Sequence, residues 1–191
     1  MYIKKDYTHL LGTPGFSDKA LETHFFLYEG YVNSTNKILS ELEGMVRAGQ
    51  YDSVEFSELK RRLGWEFDGM RNHEYYFESM GGDGAADENG KAHKKISENF
   101  GSFSEWQKDF VATAKMRGIG WAALYEDVKS GRLINFWIGE HDQGHPAGAN
   151  LLLNIDVFEH AYFPDYGKDR AGYIDAFMKT IKWDVVENRM M

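Results

Sequence analysis

The chain has 191 residues, of which 42% are hydrophobic, 15% aromatic and 27% charged, and its formal net charge is −8. This composition is typical of a globular protein large enough to bury a core, and it excludes an intrinsically disordered chain. The absence of cysteine excludes disulfides, thiolate metal sites and cysteine nucleophiles. An acidic chain without a basic stripe is not expected to bind nucleic acid.

No apolar run approaches the roughly 18 residues that a membrane-spanning helix needs, so neither a span nor a membrane partner is predicted. The segment Met1–Asp6 lacks the apolar stretch of a secretory signal. We therefore expect a cytoplasmic protein.

Two long amphipathic helices are predicted in the first half of the chain. The first covers residues 17–47, with Ser17 as its N-cap, and the second covers residues 53–80. A turn at Gly49–Asp52 joins them, which predicts an antiparallel helical hairpin. The glycine-rich segment Gly81–Gly90 that follows is the best candidate for a domain boundary.

The second half of the chain mixes helices with short strands. Helices are predicted at 91–99, 102–116 and 173–188. Strands are predicted at three short apolar segments: Gly120–Tyr125, Leu133–Ile138 and Leu151–Ile155. We therefore predict an α+β protein, with an N-terminal antiparallel helical hairpin domain (1–82) followed by a C-terminal α/β domain (91–191) that contains a three-stranded antiparallel sheet.

The octapeptide Asp156–Phe163 is the most informative segment of the sequence. It places the carboxylate of Asp156 four residues before the imidazole of His160, and such hard and borderline donors suit iron or manganese better than a soft metal. The same residues also fit an ordinary helix start, with Asp156 as N-cap and Glu159 as the acid of a capping box. The octapeptide alone leaves both interpretations open.

Two of the seven histidines lie on the apolar faces of the predicted hairpin helices, His24 in the first and His73 in the second. A single histidine in such a place is more often a hydrogen-bonded core residue than a ligand. Facing helices, however, can bring both imidazoles together with Asp156 and His160. We therefore predict a metal site of three imidazoles and one carboxylate between the two domains, with an open position for solvent.

The octapeptide resembles the signature of the iron/manganese superoxide dismutases, which is Asp, any residue, Trp or Phe, Glu-His, a small residue and two aromatics. The resemblance covers nearly the whole chain. The other matching segments, in chain order, are Tyr31-Val32-Asn33, Asn72-His73, Phe100-Gly101-Ser102-Phe103, Gly118-Ile119-Gly120-Trp121, Asp165-Tyr166 and Ile181-Lys182-Trp183. The resemblance implies a dismutase that converts superoxide to dioxygen and hydrogen peroxide by redox cycling of one iron, or alternatively manganese, per subunit. It also implies the ligands His24, His73, Asp156 and His160.

Three features depart from the family's pattern, and the first is a spacing. His24 and Tyr31 are seven residues apart, one fewer than usual, and Leu27 and Tyr28 stand where the family often has a His-His pair. Seven residues place two side chains within about 20° of each other on a regular helix, whereas eight leave about 80° between them. The shorter spacing therefore needs no π-bulge.

The second departure is Phe163, which replaces a tyrosine. In the family, that tyrosine pairs with one of those histidines across the dimer, so we expect a substituted interface.

The third departure concerns the group that hydrogen-bonds the solvent on the metal. The family usually supplies a glutamine, either from the second helix, where this chain has Gly69, or from a loop, where it has His141. The loop His141-Asp142-Gln143-Gly144-His145 resembles that of archaeal-type relatives that use iron or accept either metal. We predict that His141 tunes the potential of the metal and that His145 is a polar surface residue.

The resemblance implies roles for four further residues. Tyr31 would guard the substrate channel and relay protons, with a core tyrosine whose hydroxyl is satisfied as the alternative. Trp121 would cover the metal site with apolar surface and exclude water. Arg170 would supply the local positive potential that attracts an anionic substrate to an acidic protein. Glu159 would reach His160 of the partner subunit, which predicts a homodimer or tetramer.

Two other functions stay open. One is a superoxide dismutase-like, non-catalytic binding or assembly protein, although such proteins usually lose metal ligands. The other is a different mononuclear iron oxidoreductase on the same fold, suggested by the altered surroundings of the metal. Metal content tests the first alternative, and turnover of superoxide tests the second.

Overall fold

The computed structural model describes all residues, 1–191, and consists of helices around one small sheet. The elements in chain order are a short 3-10 helix at Thr8–Leu10, α1 (Asp18–Arg47), α2 (Val54–Glu78), α3 (Lys91–Phe100), α4 (Phe103–Ala114), β1 (Gly120–Asp127), β2 (Leu133–Gly139), β3 (Ala149–Asp156), α5 (Glu159–Tyr166), α6 (Arg170–Met178) and α7 (Trp183–Arg189). The predicted α+β fold, with a helical N-terminal region and a three-stranded antiparallel sheet, is confirmed. None of the helices combines the length and the apolar character needed to cross a bilayer.

The two long helices begin where the sequence places capping residues. Ser17 and Ser53 each accept a hydrogen bond from a backbone N–H in the first turn of α1 and α2. Helix α1 is α-helical over all 30 residues, so the prediction that it needs no π-bulge is confirmed. His24 and Tyr31 consequently share the face that packs on α2, and their ring centroids lie 5.0 and 5.1 Å from that of His73.

The sheet has the strand order β2-β1-β3, with both pairs antiparallel. The central strand β1 is buried along nearly its whole length, which explains why its first six residues, Gly120–Tyr125, form a continuous apolar run instead of alternating with polar residues. Its register places Trp121 opposite Ile138 of β2 and opposite Asp156, the last residue of β3. Strand pairing therefore places Asp156, the first residue of the octapeptide, beside Trp121, which lies 35 positions earlier in the sequence.

The prediction of one C-terminal helix over residues 173–188 is wrong in one respect, because the structure has two helices, α6 and α7, separated near Thr180. The backbone there pairs with the segment after α2 instead of continuing a helix. Gly82 N–H donates to the Thr180 carbonyl at 2.8 Å, and Lys182 N–H donates to the Ser79 carbonyl at 2.8 Å. These contacts join residues about 100 positions apart, so no local sequence signal predicts the break between the two helices.

Candidate metal centre

Four side chains from four different elements meet at one point. They are His24 of α1, His73 of α2, Asp156 at the end of β3 and His160 of α5, and one potential ligand atom from each lies within 4.8 Å of the others. The Nε2 atoms of His24, His73 and His160 lie 3.1, 3.5 and 3.3 Å from Asp156 Oδ2. The four residues that the sequence singles out as ligands are thus brought together.

His73 offers the clearest test of whether a cation fits. Its Nδ1–H donates to the Gly69 carbonyl at 2.6 Å, which leaves Nε2 of the neutral ring as a bare acceptor. This Nε2 is fully buried without a hydrogen-bond partner and faces the carboxylate of Asp156, another acceptor. Two buried acceptors facing each other are unfavourable unless something positive lies between them. The donor set of three imidazoles and one carboxylate fits iron or manganese.

Asp156 is held by the strand and by polar contacts on its other side. Its Oδ1 accepts from Phe158 N–H at 2.8 Å, and its carbonyl accepts from the Tyr173 hydroxyl at 2.7 Å, so Oδ2 is left for the cluster. The interpretation of the octapeptide as a helix start at Asp156 is wrong, because α5 begins at Glu159 with Phe158 at the N-cap position.

The charge states of the cluster suit metal binding. Burial opposes ionisation of Asp156, but attraction by His160 and hydrogen bonds with His160 and His24 outweigh it and hold its pKa well below the usual value. Burial lowers the pKa of His24 and lowers that of His73 further, so both are neutral. The pKa of His160 is raised, because the pull of Asp156 outweighs burial. A cation at the centre would compete with protonation of His160, since ligating imidazoles are neutral.

His141 lies beside this cluster with a defined tautomer. Its ring is fully buried, Nδ1 lies 3.2 Å from Trp121 Nε1, and Nε2 lies 2.8 Å from Tyr31 Oη. An indole N–H can only donate, so His141 Nδ1 accepts and the ring proton is on Nε2, which donates to Tyr31. Burial lowers the pKa of His141 to about 4, which keeps the ring neutral above that pH.

Tyr31 fills the space that a side chain at position 69 would need. A Cβ atom built on Gly69 would lie 2.7 Å from Cδ1 of the Tyr31 ring. The ring stacks on His73 with centroids 5.1 Å apart, and burial raises the pKa of the hydroxyl, which keeps it protonated. Because position 69 is glycine, α2 supplies no polar side chain there. The polar group next to Tyr31 is instead His141, from the loop after β2.

Comparisons with known proteins agree with this arrangement. Residues 88–189 match the family model for the C-terminal domain of iron/manganese superoxide dismutases. An iron superoxide dismutase of Aquifex pyrophilus is 36% identical, over 97% of this chain and 89% of its own length. The iron enzyme of Saccharolobus solfataricus is 34% identical (93% and 86%), and manganese superoxide dismutase 2 of Haloferax volcanii is 33% identical (90% and 85%). The chain belongs to the iron/manganese superoxide dismutase family.

Two other residues singled out in this family member lie outside the four-residue cluster. Arg170 donates through Nη1 to the Gly118 carbonyl at 3.1 Å, and its guanidinium lies 5.8 and 5.9 Å from the ring centroids of Trp137 and Tyr162. Its Nε and Nη2 are buried without partners. Glu159 is exposed next to the half-buried His160 and makes no hydrogen bond or salt bridge within the chain.

The prediction that His145 is a polar surface residue is confirmed only in part, because the side chain lies in a loop but is half-buried and hydrogen-bonded through both ring nitrogens. Its side chain is only 27% exposed, Nε2 lies 2.7 Å from the His141 carbonyl, and Nδ1 lies 2.6 Å from the Tyr125 hydroxyl. The available signal in the sequence was that His141 and His145 are four residues apart with Gly144 between them, a spacing that fits a tight turn. The partner Tyr125 lies on β1, 20 positions earlier in the sequence, so local sequence reasoning had no means to find it.

Sequence reasoning also missed Trp65 as a neighbour of the site. Its ring centroid lies 4.6 Å from that of His141 and 5.5 Å from that of Tyr31, and its Nε1–H donates to Glu140 Oε2 at 3.0 Å. Trp65 precedes His73 by eight residues, about two turns of α2, and this spacing was the only local signal.

Proposed function

We propose that this protein is a superoxide dismutase that converts superoxide to dioxygen and hydrogen peroxide, with one iron or manganese ion per subunit bound by His24, His73, Asp156 and His160. The observation that carries the proposal is the buried Nε2 of His73, which has no hydrogen-bond partner and lies within 4.8 Å of one potential ligand atom from each of the other three residues. Family membership and relatives named for each of the two metals support it.

Iron is our first choice of metal and manganese the alternative. The four proposed ligands are the same for both ions, so the preference rests on their neighbours. Two of the relatives above are named as iron enzymes, and the loop carrying His141 resembles that of relatives that use iron or accept either metal. A bound ion would supply the one-electron redox chemistry of the reaction.

The chain's own groups would deliver protons to the product. Reduction of superoxide to peroxide takes up two protons, and these must reach a buried site. Tyr31 Oη accepts from the His141 Nε2–H, so its own proton is free to point away from His141. In this proposal Tyr31 relays protons, and His141 orients the Tyr31 hydroxyl and influences the potential of the metal.

Aromatic side chains would keep bulk water from the cluster. The ring of Trp121 is fully buried 5.0 Å from that of His73. Phe158 stacks on both His141 and His160, with centroid separations of 4.7 and 5.3 Å. A drier site strengthens the electrostatic interaction between the carboxylate of Asp156 and a bound cation.

The arrangement of the chain around the metal is also part of the proposal. We propose a helical hairpin domain at 1–82 and an α/β domain at 91–191, with the metal between them, because α1 and α2 supply His24 and His73 and later elements supply the other two candidates. We further propose that Arg170 contributes positive potential for the anionic substrate.

We also propose a homodimer or tetramer in which Glu159 contacts His160 of the partner subunit. Its support is the exposure of Glu159 beside a histidine that is itself 25% exposed, and the exposed ring of Phe163 one turn further along α5. Light scattering on the wild type and on Glu159→Ala tests this. Dissociation of the variant is expected, and a monomeric wild type would contradict the assembly.

Elemental analysis of the purified protein, combined with a superoxide consumption assay, tests the proposed function. We expect close to one iron or manganese per chain and rapid removal of superoxide. A chain that retains no metal would favour the binding or assembly protein. A metal-loaded chain that leaves superoxide untouched would favour a different iron oxidoreductase on this fold.

A further inference from the structure

His141 lies on a tight turn, so its position depends on the contacts of that turn. Residues 140–142 form the tip, and paired backbone hydrogen bonds between Gly139 and Gln143 close it. Glu140 has a φ of 50°, the left-handed region that non-glycine residues rarely occupy. A turn in such a conformation persists only when surrounding contacts hold it there.

The carbonyl of His141 receives two side-chain hydrogen bonds. Asn72 Nδ2, on α2, donates from 3.1 Å. His145 Nε2 lies 2.7 Å from the same oxygen, and because a carbonyl only accepts, Nε2 carries the proton. His145 Nδ1 is then an acceptor for the Tyr125 hydroxyl at 2.6 Å. A continuous chain of hydrogen bonds thus runs from the buried Tyr125 of β1, through His145, to the backbone of His141.

We propose that His145 is a positioning residue that sets the orientation of the His141 ring towards Tyr31 and the open position of the metal centre. The inference rests on the role proposed above for His141. His145 touches neither the four candidate ligands nor Tyr31, so it acts only through the backbone of His141.

The contacts of His141 explain why holding its carbonyl also holds its ring. Both ring nitrogens are engaged, with Trp121 on one side and Tyr31 on the other, and the ring is stacked on Phe158. A shift of the carbonyl therefore cannot be absorbed by free rotation of the ring and must lengthen one of those two hydrogen bonds. Misplacement of an active group by about 1 Å is enough to change reactivity strongly.

The primary test is anion binding by the iron-loaded protein, because azide occupies the open position without turnover. At equal iron content we expect His145→Ala to change the azide Kd and superoxide turnover by about tenfold. His145→Gln, whose amide N–H can still donate to the carbonyl, is expected to recover much of the wild-type value. His9→Ala, an exposed histidine on the 3-10 helix, is the matched control and should match the wild type.

A double-mutant cycle separates positioning from general stability. If His145 acts through His141, then His145→Ala in a His141→Ala background should change the azide Kd no further. Additive effects, or a His145→Ala protein that loses melting temperature while its azide Kd and turnover stay within about twofold, would overturn the inference. If His141→Ala alone leaves both quantities unchanged, the proposed role of His141 fails instead.

Tyr125→Phe keeps the test available if His145→Ala does not fold. This variant removes one hydroxyl from the far side of His145 and preserves the buried ring. We expect a change in azide Kd in the same direction as in His145→Ala and smaller, since the bond to the His141 carbonyl remains. An azide Kd and a turnover in Tyr125→Phe that equal those of the wild type would count against the proposal.

Discussion

The four-residue cluster and the turn that carries His141 are neighbours, yet they are held in place by different means. The candidate ligands lie on α1, α2, β3 and α5, whose relative positions follow from packing of the apolar core. His141 lies on a turn that is held by backbone hydrogen bonds of Gly139, Glu140 and Gln143 and by side-chain hydrogen bonds from Asn72, His145 and Trp65. Metal retention should therefore depend on the core, and tuning of the metal on a small number of polar contacts.

This difference has a physical basis in how each contact responds to substitution. Positions fixed by the core are shared among many weak contacts, so losing one neighbour moves them little. A turn held by a small number of hydrogen bonds loses a substantial fraction of its restraint with each one. Variants of the four-residue cluster should therefore lose the metal, whereas variants of the turn should keep the metal but change the superoxide turnover.

The largest effect is expected for His73→Ala, which removes a proposed ligand from the most buried part of the cluster. We expect iron and manganese to fall close to zero by elemental analysis, because the remaining ligands leave the coordination shell incomplete. His9→Ala, purified in parallel, should keep the wild-type content. A fully metallated, active His73→Ala protein would remove His73 from the ligand set.

His141→Ala should have the next largest effect and should sharpen the contrast between the two regions. The metal content is expected to stay near that of the wild type, while superoxide turnover falls by about 10- to 100-fold, as is common when a residue around the ligands is lost. Rapid-mixing kinetics on samples of matched metal content measure this. Unaltered kinetics would make His141 a bystander.

Acid stability gives a third test that does not depend on catalysis. The pKa of His141 is lowered by burial from about 6.5 to about 4, so between these values the unfolded chain binds a proton there that the folded chain does not. The free energy of unfolding should therefore fall as the pH is lowered from 6.5 to 4. His141→Gln lacks this group, so its stability should fall less steeply over the same range. Denaturation at a series of pH values measures this. An equal fall in the free energy of unfolding of the two proteins between pH 6.5 and 4 would contradict the lowered pKa of His141.

Tyr31→Phe is expected to produce the smallest of these effects. The ring remains stacked on His73 and next to Gly69, so fold and metal content should be preserved. Loss of the hydroxyl removes the acceptor for His141 Nε2–H and the proposed proton relay, and we expect a severalfold loss of turnover that grows at high pH, where protons are scarce. A turnover that matches the wild type across the pH range would favour a purely structural tyrosine.

The sequence predicted best where the signal is local. The extents of α1 and α2 follow from helical periodicity and from Ser17 and Ser53 as caps, and the three strands follow from short apolar runs between glycines and polar residues. The seven-residue spacing of His24 and Tyr31 predicted their common helical face because α-helical geometry is regular.

The candidate site was predictable only in part. Its four principal residues were found from the octapeptide, from two histidines on apolar helix faces and from a family resemblance. The contacts of His145 and of Trp65 were not predicted, because each side chain bonds a partner on another part of the chain, Tyr125 for His145 and Glu140 for Trp65.

By itself, the sequence determined the helical hairpin, the strands and the residue types available for a metal, since these follow from periodicity and composition along the chain. Only the tertiary structure decided that Asp156 ends a strand, that His141 carries its proton on Nε2, and that the C-terminal helix breaks near Thr180. The physical reason is that each of these outcomes depends on a hydrogen bond or strand pairing with a residue distant in sequence. Such contacts form only when the chain has packed.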